Sequence, residues 1–457
     1  MPFHKYKTHY RDNLKLAIPV VISQLGHTLV QLSDSVIVGH FAGTISLAAV
    51  SLVNSIFLLA MVIGLGMSYG ITPLIAQQNG MHNYAACGKL LSNSICINLL
   101  TSILLFLLLY FGGGWLLAHL DQSPAVLQQA KPFMLLLSAS IIPMLIFNTF
   151  KQFAEGLGFT KQAMMISIWG NVLNICLGII FVKGLFGTKP MGISGVGYST
   201  LIDRTIMAIV MGIYVFRSVH FKKYLDQFSI TYINRLQCMQ LIRIGAPVSM
   251  QYAFEVSAFS AAAIMTGIIS PIQQAAHQVA INLASLTYMM ASGLSAAAAI
   301  KTGNYFGAKN YLQLKSSAIA GYHIVLAFMF IMALVFVVGN SWLPWIVTSD
   351  PKVITLASQL LIIAAVFQLF DGAQVMGLGI LRGMGDVNVP TIITFLAYWI
   401  VGLPLGYLLG LHLHLGAQWV WYGLVAGLAV AAILLYLRFQ VTTTKQAQAY
   451  VAKRLEI

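Results

Sequence analysis

Charge is what this sequence has least of. Of 457 residues only 8% are charged, with 11 acids against 25 Lys and Arg. An ordinary globular domain carries about 25% charged residues, and a soluble chain of this length could not clothe its core with so little polar surface. Cysteine is scarce as well. Cys87, Cys96, Cys176 and Cys238 stand singly, without a CxxC pair, so neither a disulfide framework nor a cysteine metal site is expected. Signature loops are missing too. No GxxxxGK[ST] cradles nucleotide phosphates, no HExxH or GxSxG is present, and no TVGYG-like run supplies a carbonyl filter. These absences argue against an ATP motor, a zinc or serine hydrolase and a selective pore.

What the chain does have is apolar length. It is 59% hydrophobic, with a mean hydropathy of +0.84. Apolar stretches of about 20 residues or more recur, each long enough to cross a ~30 Å hydrocarbon layer. Helices are expected at 13–38, 46–76, 88–111, 124–150, 161–183, 192–217, 239–268, 272–303, 312–338, 351–381, 387–411 and 416–440. The basic start (His4, Lys5, Lys7, Arg11, Lys15) resembles a signal-peptide n-region. The apolar run behind it is too long for an h-region and lacks a small-residue cleavage site, so it reads as a retained first span.

The net charge of +14 points to membrane topology and not to nucleic acid. Lys131, Lys183, Lys189 and Lys352 fall on one side and Arg204 inside span six. The remaining 20 basic residues (25 − 5) fall on the other side. That asymmetry places both termini in the cytoplasm and requires an even number of spans.

The two halves repeat at an offset of 227–228. Pro19 matches Pro247, Gly39 matches Gly267 and Asn54 matches Asn282. NGMHNY (79–84) matches FGAKNY (306–311), SPAVL (123–127) matches DPKVI (350–354), and EGLG (155–158) matches RGMG (382–385). The expected fold is therefore an all-α polytopic membrane protein. Twelve transmembrane helices form two six-helix lobes related by a pseudo-two-fold axis along the membrane normal. Residues 1–217 make the first lobe, 218–238 a cytoplasmic linker, and 239–457 the second lobe.

An ionisable side chain at mid-span costs about 2.5–3.5 kcal/mol on insertion scales, so it usually faces the protein interior with a task. Glu255 in span seven and Asp371 in span ten have no Lys or Arg within a helical turn. Two such carboxylates at similar depth suit a shared site for a proton or Na⁺. The structural alternative is a pair of separately protonated, hydrogen-bonded carboxyls. Asp34 in span one suits a proton carrier, against a snorkelling acid at the interface. His27 lies seven residues earlier on about the same helix face. Adjacent Asp203 and Arg204 point about 100° apart and need not pair with each other, which favours structural roles. Asn171 and Asn174 in span five either line a site or bond between helices.

With these motifs in view, the chain resembles the multidrug and toxic compound extrusion (MATE) transporters, in particular their NorM-like bacterial branch. The likeness covers essentially the whole chain. It rests on Pro19 and Gln24, DSVIVGHFAG from Asp34, the loops ending HNY and GAKNY, GNVLN (170–174), QYAFE ending at Glu255, FDG (370–372) and LRGMGD (381–386). The resemblance implies alternating access, and export of lipophilic organic cations driven by inward Na⁺ or H⁺, with no other cofactor. It implies a cation site at Glu255 and Asp371, which would hold the metal ion if the coupling ion is Na⁺. It implies a proton-coupling network at Asp34 and Asn174, and substrate contacts at Gln278, Asp350 and Asp371. The expected setting is a bacterial inner membrane, with the lipid bilayer and small cationic molecules as partners, no nucleic acid, and a monomer. Two positions depart from the family pattern: Gly178, four after Asn174, and Phe367, four before Asp371. Many Phe, Met and Tyr suit flat lipophilic cations through cation–π contact and adaptable packing.

Two other readings fit less well. A flippase for lipid-linked sugars needs several basic groups to meet phosphate, and Arg204 is the one deep in a span. An integral membrane transferase needs clustered His, Asp or Glu at a membrane face, and His412 and His414 have no acidic partners in sequence.

Overall fold

The structure is a computed structural model that describes residues 3–119, 123–187 and 189–455. Twelve helices among the described residues are long and apolar enough to span a bilayer. They are α1 Tyr6–Phe41, α2 Thr44–Gly80, α3 Tyr84–Leu117, α4 Pro124–Gly156, α5 Thr160–Lys183 and α6 Ile193–Arg217. The second set is α7 Arg235–Ile269, α8 Pro271–Gly307, α9 Tyr311–Gly339, α10 Pro351–Gly383, α11 Asn388–His412 and α12 Ala417–Tyr450. No strand occurs among the described residues. The twelve expected spans are all present. Several helices run past the apolar run at one end, because helical geometry continues into polar turns until a cap stops it.

The caps record the sequence repeat in backbone form. Asn83 caps α3 and Asn310 caps α9, each through its side-chain oxygen. Ser123 caps α4 and Asp350 caps α10, each followed by a proline at the first helical position. The residue before each asparagine cap takes the left-handed conformation, at φ 57° for His82 and 55° for Lys309. Gly158 and Gly385 likewise share φ 89° and 79°. Each pair is separated by 227 residues, as 310 − 83 and 385 − 158 show.

Two compact units emerge, one of Ile22–Ser249 and one of Met1–Val21 with Met250–Ile457. Within the first unit the start of α7 packs closely on α2. The Ser249 hydroxyl donates to the Ile63 carbonyl at 2.8 Å, and a Cβ on Gly70 would stand 2.8 Å from the Gly245 nitrogen. The segment 218–238 is also fastened to this unit. Asn93 on α3 accepts from the Asn234 amide at 2.8 Å and donates to Gln237 at 2.8 Å. Tyr224 is buried and donates to Asn79 at 3.1 Å. Within the second unit the start of α1 is knitted to α8 and α9. Lys301 pairs with Asp12 at 2.9 Å, and Asn13 exchanges two bonds with Ser317.

Candidate functional site

In the second unit, α7, α8, α10 and α11 bring polar side chains together in an apolar interior. Glu255 is 3% exposed and Asp371 2%, so neither can shed its charge into water. Glu255 acts electrostatically on Asp371, and both acids act on the hydroxyls of Tyr288 and Tyr398. The Tyr288 hydroxyl also acts on Glu255. No ion pair among the described residues involves either acid.

Two amides extend this group. Gln368, Asp371 and Gln374 recur every third residue, so they share one face of α10, and all are buried. Tyr398 donates to Gln374 Oε1 at 3.0 Å. Several atoms have no partner among the described residues: Glu255 Oε2, Asp371 Oδ1, both polar atoms of Gln368, and Gln374 Nε2. A buried polar group left unmatched costs about 1–3 kcal/mol, and more if charged. Three of these five unmatched atoms are oxygens and two are amide nitrogens. The acceptors are all oxygen, the ligand type that hard cations take. No group of three or more His, Cys, Asp or Glu suited to a metal occurs among the described residues.

An aromatic wall closes this region. Phe259 meets Phe367 at 6.0 Å and Tyr398 at 5.7 Å, and Phe367 meets Trp421 at 5.3 Å. The Trp421 indole donates to His277 Nδ1 at 3.1 Å. Phe367 brings no hydroxyl, but Tyr398, packed on the same Phe259 ring, does.

The first unit holds a second polar group. Asn174 is buried and donates to Thr200 at 3.3 Å, while its Oδ1 has no partner among the described residues. Asp34 and Asp203 each leave Oδ1 buried and unpartnered in the same sense. Arg204 acts electrostatically on both acids and on His27. A Cβ at Gly178 would meet Ile37 and Ser199 at 3.5 and 3.6 Å, ordinary van der Waals distances. Further toward the end of α4, Lys151 and Glu155 form a buried pair at 3.9 Å, and Lys151 donates to Ser23 at 2.8 Å.

The sequence-derived residues thus fall into separate places. Glu255 and Asp371 share one cluster in the second unit. Asp34 and Asn174 belong to the first unit. Gln278 is exposed and donates to Asn282 at 2.9 Å. Asp350 is exposed and uses its carboxylate to cap α10, accepting from the Lys352 amide at 2.9 Å. Sequence reasoning missed Gln368 and Gln374, although their spacing around Asp371 is a visible signal. It also missed Tyr288 and Tyr398, which look like ordinary membrane aromatics. Lys151 and Glu155 lie beyond residue 150, the expected end of span four, and the structure buries both within the helix.

Twelve helices long and apolar enough to span a bilayer, with carboxyls buried among them, define a polytopic membrane protein. The particular family follows from comparison. The MatE family model matches residues 19–180 and 247–408, two segments offset by 228. The chain is 33% identical to multidrug resistance protein NorM of Photobacterium profundum, across 96% of each chain. It is 32% identical to multidrug resistance protein MdtK of Yersinia pseudotuberculosis serotype O:1b, across 98% of this chain and 99% of that one. Its fold matches the outward-facing conformation of a multidrug resistance MATE family transporter at a TM-score of 0.88, with 20% identity over 96% and 97% of the two chains. The eukaryotic MATE transporter AtDTX14 matches at 0.87, with 19% identity over 97% and 99%. This chain belongs to the MatE family.

Proposed function

We propose that the chain is a secondary antiporter of a bacterial inner membrane that exports lipophilic organic cations in exchange for inward Na⁺ or H⁺. The observation that carries this reading is the pair Glu255 and Asp371, buried together with unpartnered oxygens and, among the described residues, no basic residue in an ion pair with either. Two bare carboxylates in an apolar interior are costly until a cation or proton neutralises them. Binding the coupling ion therefore favours one state of the protein and losing it favours another. A cationic drug that prefers the opposite state is driven out by that difference, which is all that antiport requires.

In this reading Glu255 and Asp371 hold the coupling ion, with oxygens of Gln368 and Tyr288 completing its shell. Asp34 and Asn174 form the second proton-coupling group. Gln278 and Asp350 meet the drug from exposed positions, and Asp371 meets it from within. Both termini face the cytoplasm, and one copy of the chain suffices.

The test is ethidium efflux from dye-loaded cells, with and without Na⁺ at fixed pH. The wild type extrudes dye, and its response to Na⁺ identifies the ion. Glu255→Gln and Asp371→Asn lose about tenfold or more of the rate, the equivalent of about 1.4 kcal/mol. Wild-type rates in both variants would overturn the assignment.

A further inference from the structure

Arg204 lies in the interior of α6, where a charged side chain needs partners. Its Nη1 donates to the Ser140 hydroxyl at 2.7 Å, and its guanidinium carbon lies 5.3 Å from the centre of the Phe57 ring. Asp203 on its own helix and Asp34 on α1 are the charged groups acting on it. Yet no ion pair among the described residues includes Arg204. Asp34 Oδ1 and Asp203 Oδ1 are both buried without a partner among those residues. The surrounding elements contribute little else. His27 on α1 lies within the electrostatic reach of both Arg204 and Lys151 of α4, and Asn174 on α5 presents an unpartnered oxygen.

This arrangement is not at rest. A guanidinium has five N–H donors in a rigid fork suited to carboxylates. Here it spends a short bond on a neutral hydroxyl while two carboxyls within its electrostatic reach keep unfilled oxygens. An ion pair would fill both needs at once. The geometry is intelligible if the carboxyls are neutralised by something else in this state.

We infer that Arg204 is a tethered counter-cation for Asp34 and Asp203, parked on Ser140 and Phe57 while a proton or bound cation neutralises the acids and swung onto them when that charge has left. The inference rests on the reading of the chain as a cation-coupled exporter, and it deepens that reading. Empty carboxylates in an apolar interior would be costly, and a guanidinium on a flexible stem lowers that cost without entering or leaving the protein. It also competes for Asp34 with a cationic substrate, because it carries the same kind of charge. Arg204 is thus a positioning residue, acting through the two acids.

The test reads the acids directly. Dicyclohexylcarbodiimide modifies protonated carboxyls in apolar surroundings, and the labelled peptides are quantified by mass spectrometry on the purified full-length chain at one pH. Arg204→Gln removes the counter-cation, so labelling of Asp34 and Asp203 rises about threefold or more. Arg204→Lys keeps the charge and stays within about twofold of wild type. Ser140→Ala frees the guanidinium to dwell on the acids and lowers labelling about twofold. Unchanged labelling in Arg204→Gln and Ser140→Ala overturns the inference, as does a rise in Arg204→Lys equal to that in Arg204→Gln. Dye efflux is followed on the same variants. If the wild type extrudes no dye while the labelling pattern holds, the exporter reading fails and the counter-cation stands. If Glu255→Gln abolishes efflux while labelling ignores Arg204, the inference fails and the reading stands.

Discussion

Tyr398 donates a hydrogen bond to Gln374 Oε1 at 3.0 Å, and Gln374 Nε2 is left without an acceptor among the described residues. The bond fixes which way the amide faces. It turns the oxygen toward the tyrosine and the donor toward a buried interior. Tyr398→Phe leaves Gln374 Oε1 bare. Thermal unfolding in detergent should show a loss of about 1–3 kcal/mol, the cost of an unsatisfied buried group, together with slower efflux. Unchanged stability would mean that water already serves this amide.

Gln368 is fully buried and neither of its polar atoms is matched among the described residues. If the amide exists for the coupling ion, it weakens the fold to serve transport. Gln368→Leu should therefore stabilise the protein by about 1–3 kcal/mol while efflux falls. Loss of stability instead would show that the amide is held by partners in the resting protein.

The last two helices meet through glycines. A Cβ on Gly423 of α12 would stand 2.6 Å from the Gly406 Cα of α11, and one on Gly427 would stand 3.1 Å from the Gly402 Cα. Small residues let helix backbones approach in a bilayer, where dispersion and not the hydrophobic effect drives association. Gly423→Ala should cost about 1–3 kcal/mol through overpacking. Gly114, which has nothing within 4 Å of its Cβ position, is the control. Gly114→Ala should be neutral or stabilising by about 0.4–1 kcal/mol. Thermal unfolding of the two variants side by side checks both.

The strap at 218–238 should loosen in alkali. Burial pushes the Tyr224 phenol above its ordinary value of 10.0, and the bond to Tyr224 holds the Lys223 ammonium above 10.5. The folded strap therefore binds both protons more tightly than the unfolded chain does. Its contribution is whole below the ordinary values and is lost as pH rises through the raised ones. Melting temperatures taken from about pH 8 to about pH 11 should fall more steeply in wild type than in Tyr224→Phe, which removes one of the two groups. Parallel curves would contradict the assignment.

Much of the fold was legible because bilayer thickness writes itself into sequence. Apolar run length placed all twelve spans, and paired turns such as His82–Asn83 and Lys309–Asn310 betrayed the repeat. Glu255 and Asp371 were legible because a carboxylate in an apolar run is conspicuous. Gln368 and Gln374 were not, since a neutral amide costs less and attracts less notice. The buried pair Lys151 and Glu155 was not legible because α4 continues beyond its apolar run, to Gly156. Ser140 gave no sign of its bond to Arg204, because contacts between distant helices leave no local pattern.

The most direct test measures competition on the purified protein. Ethidium binding is followed by fluorescence anisotropy while Na⁺ is raised at fixed pH, and again while pH is lowered at fixed Na⁺. The account predicts that one of the two ions displaces dye from the wild type and that displacement vanishes in Glu255→Gln and Asp371→Asn. Displacement of wild-type strength in both variants would contradict the claim that these carboxylates hold the coupling ion.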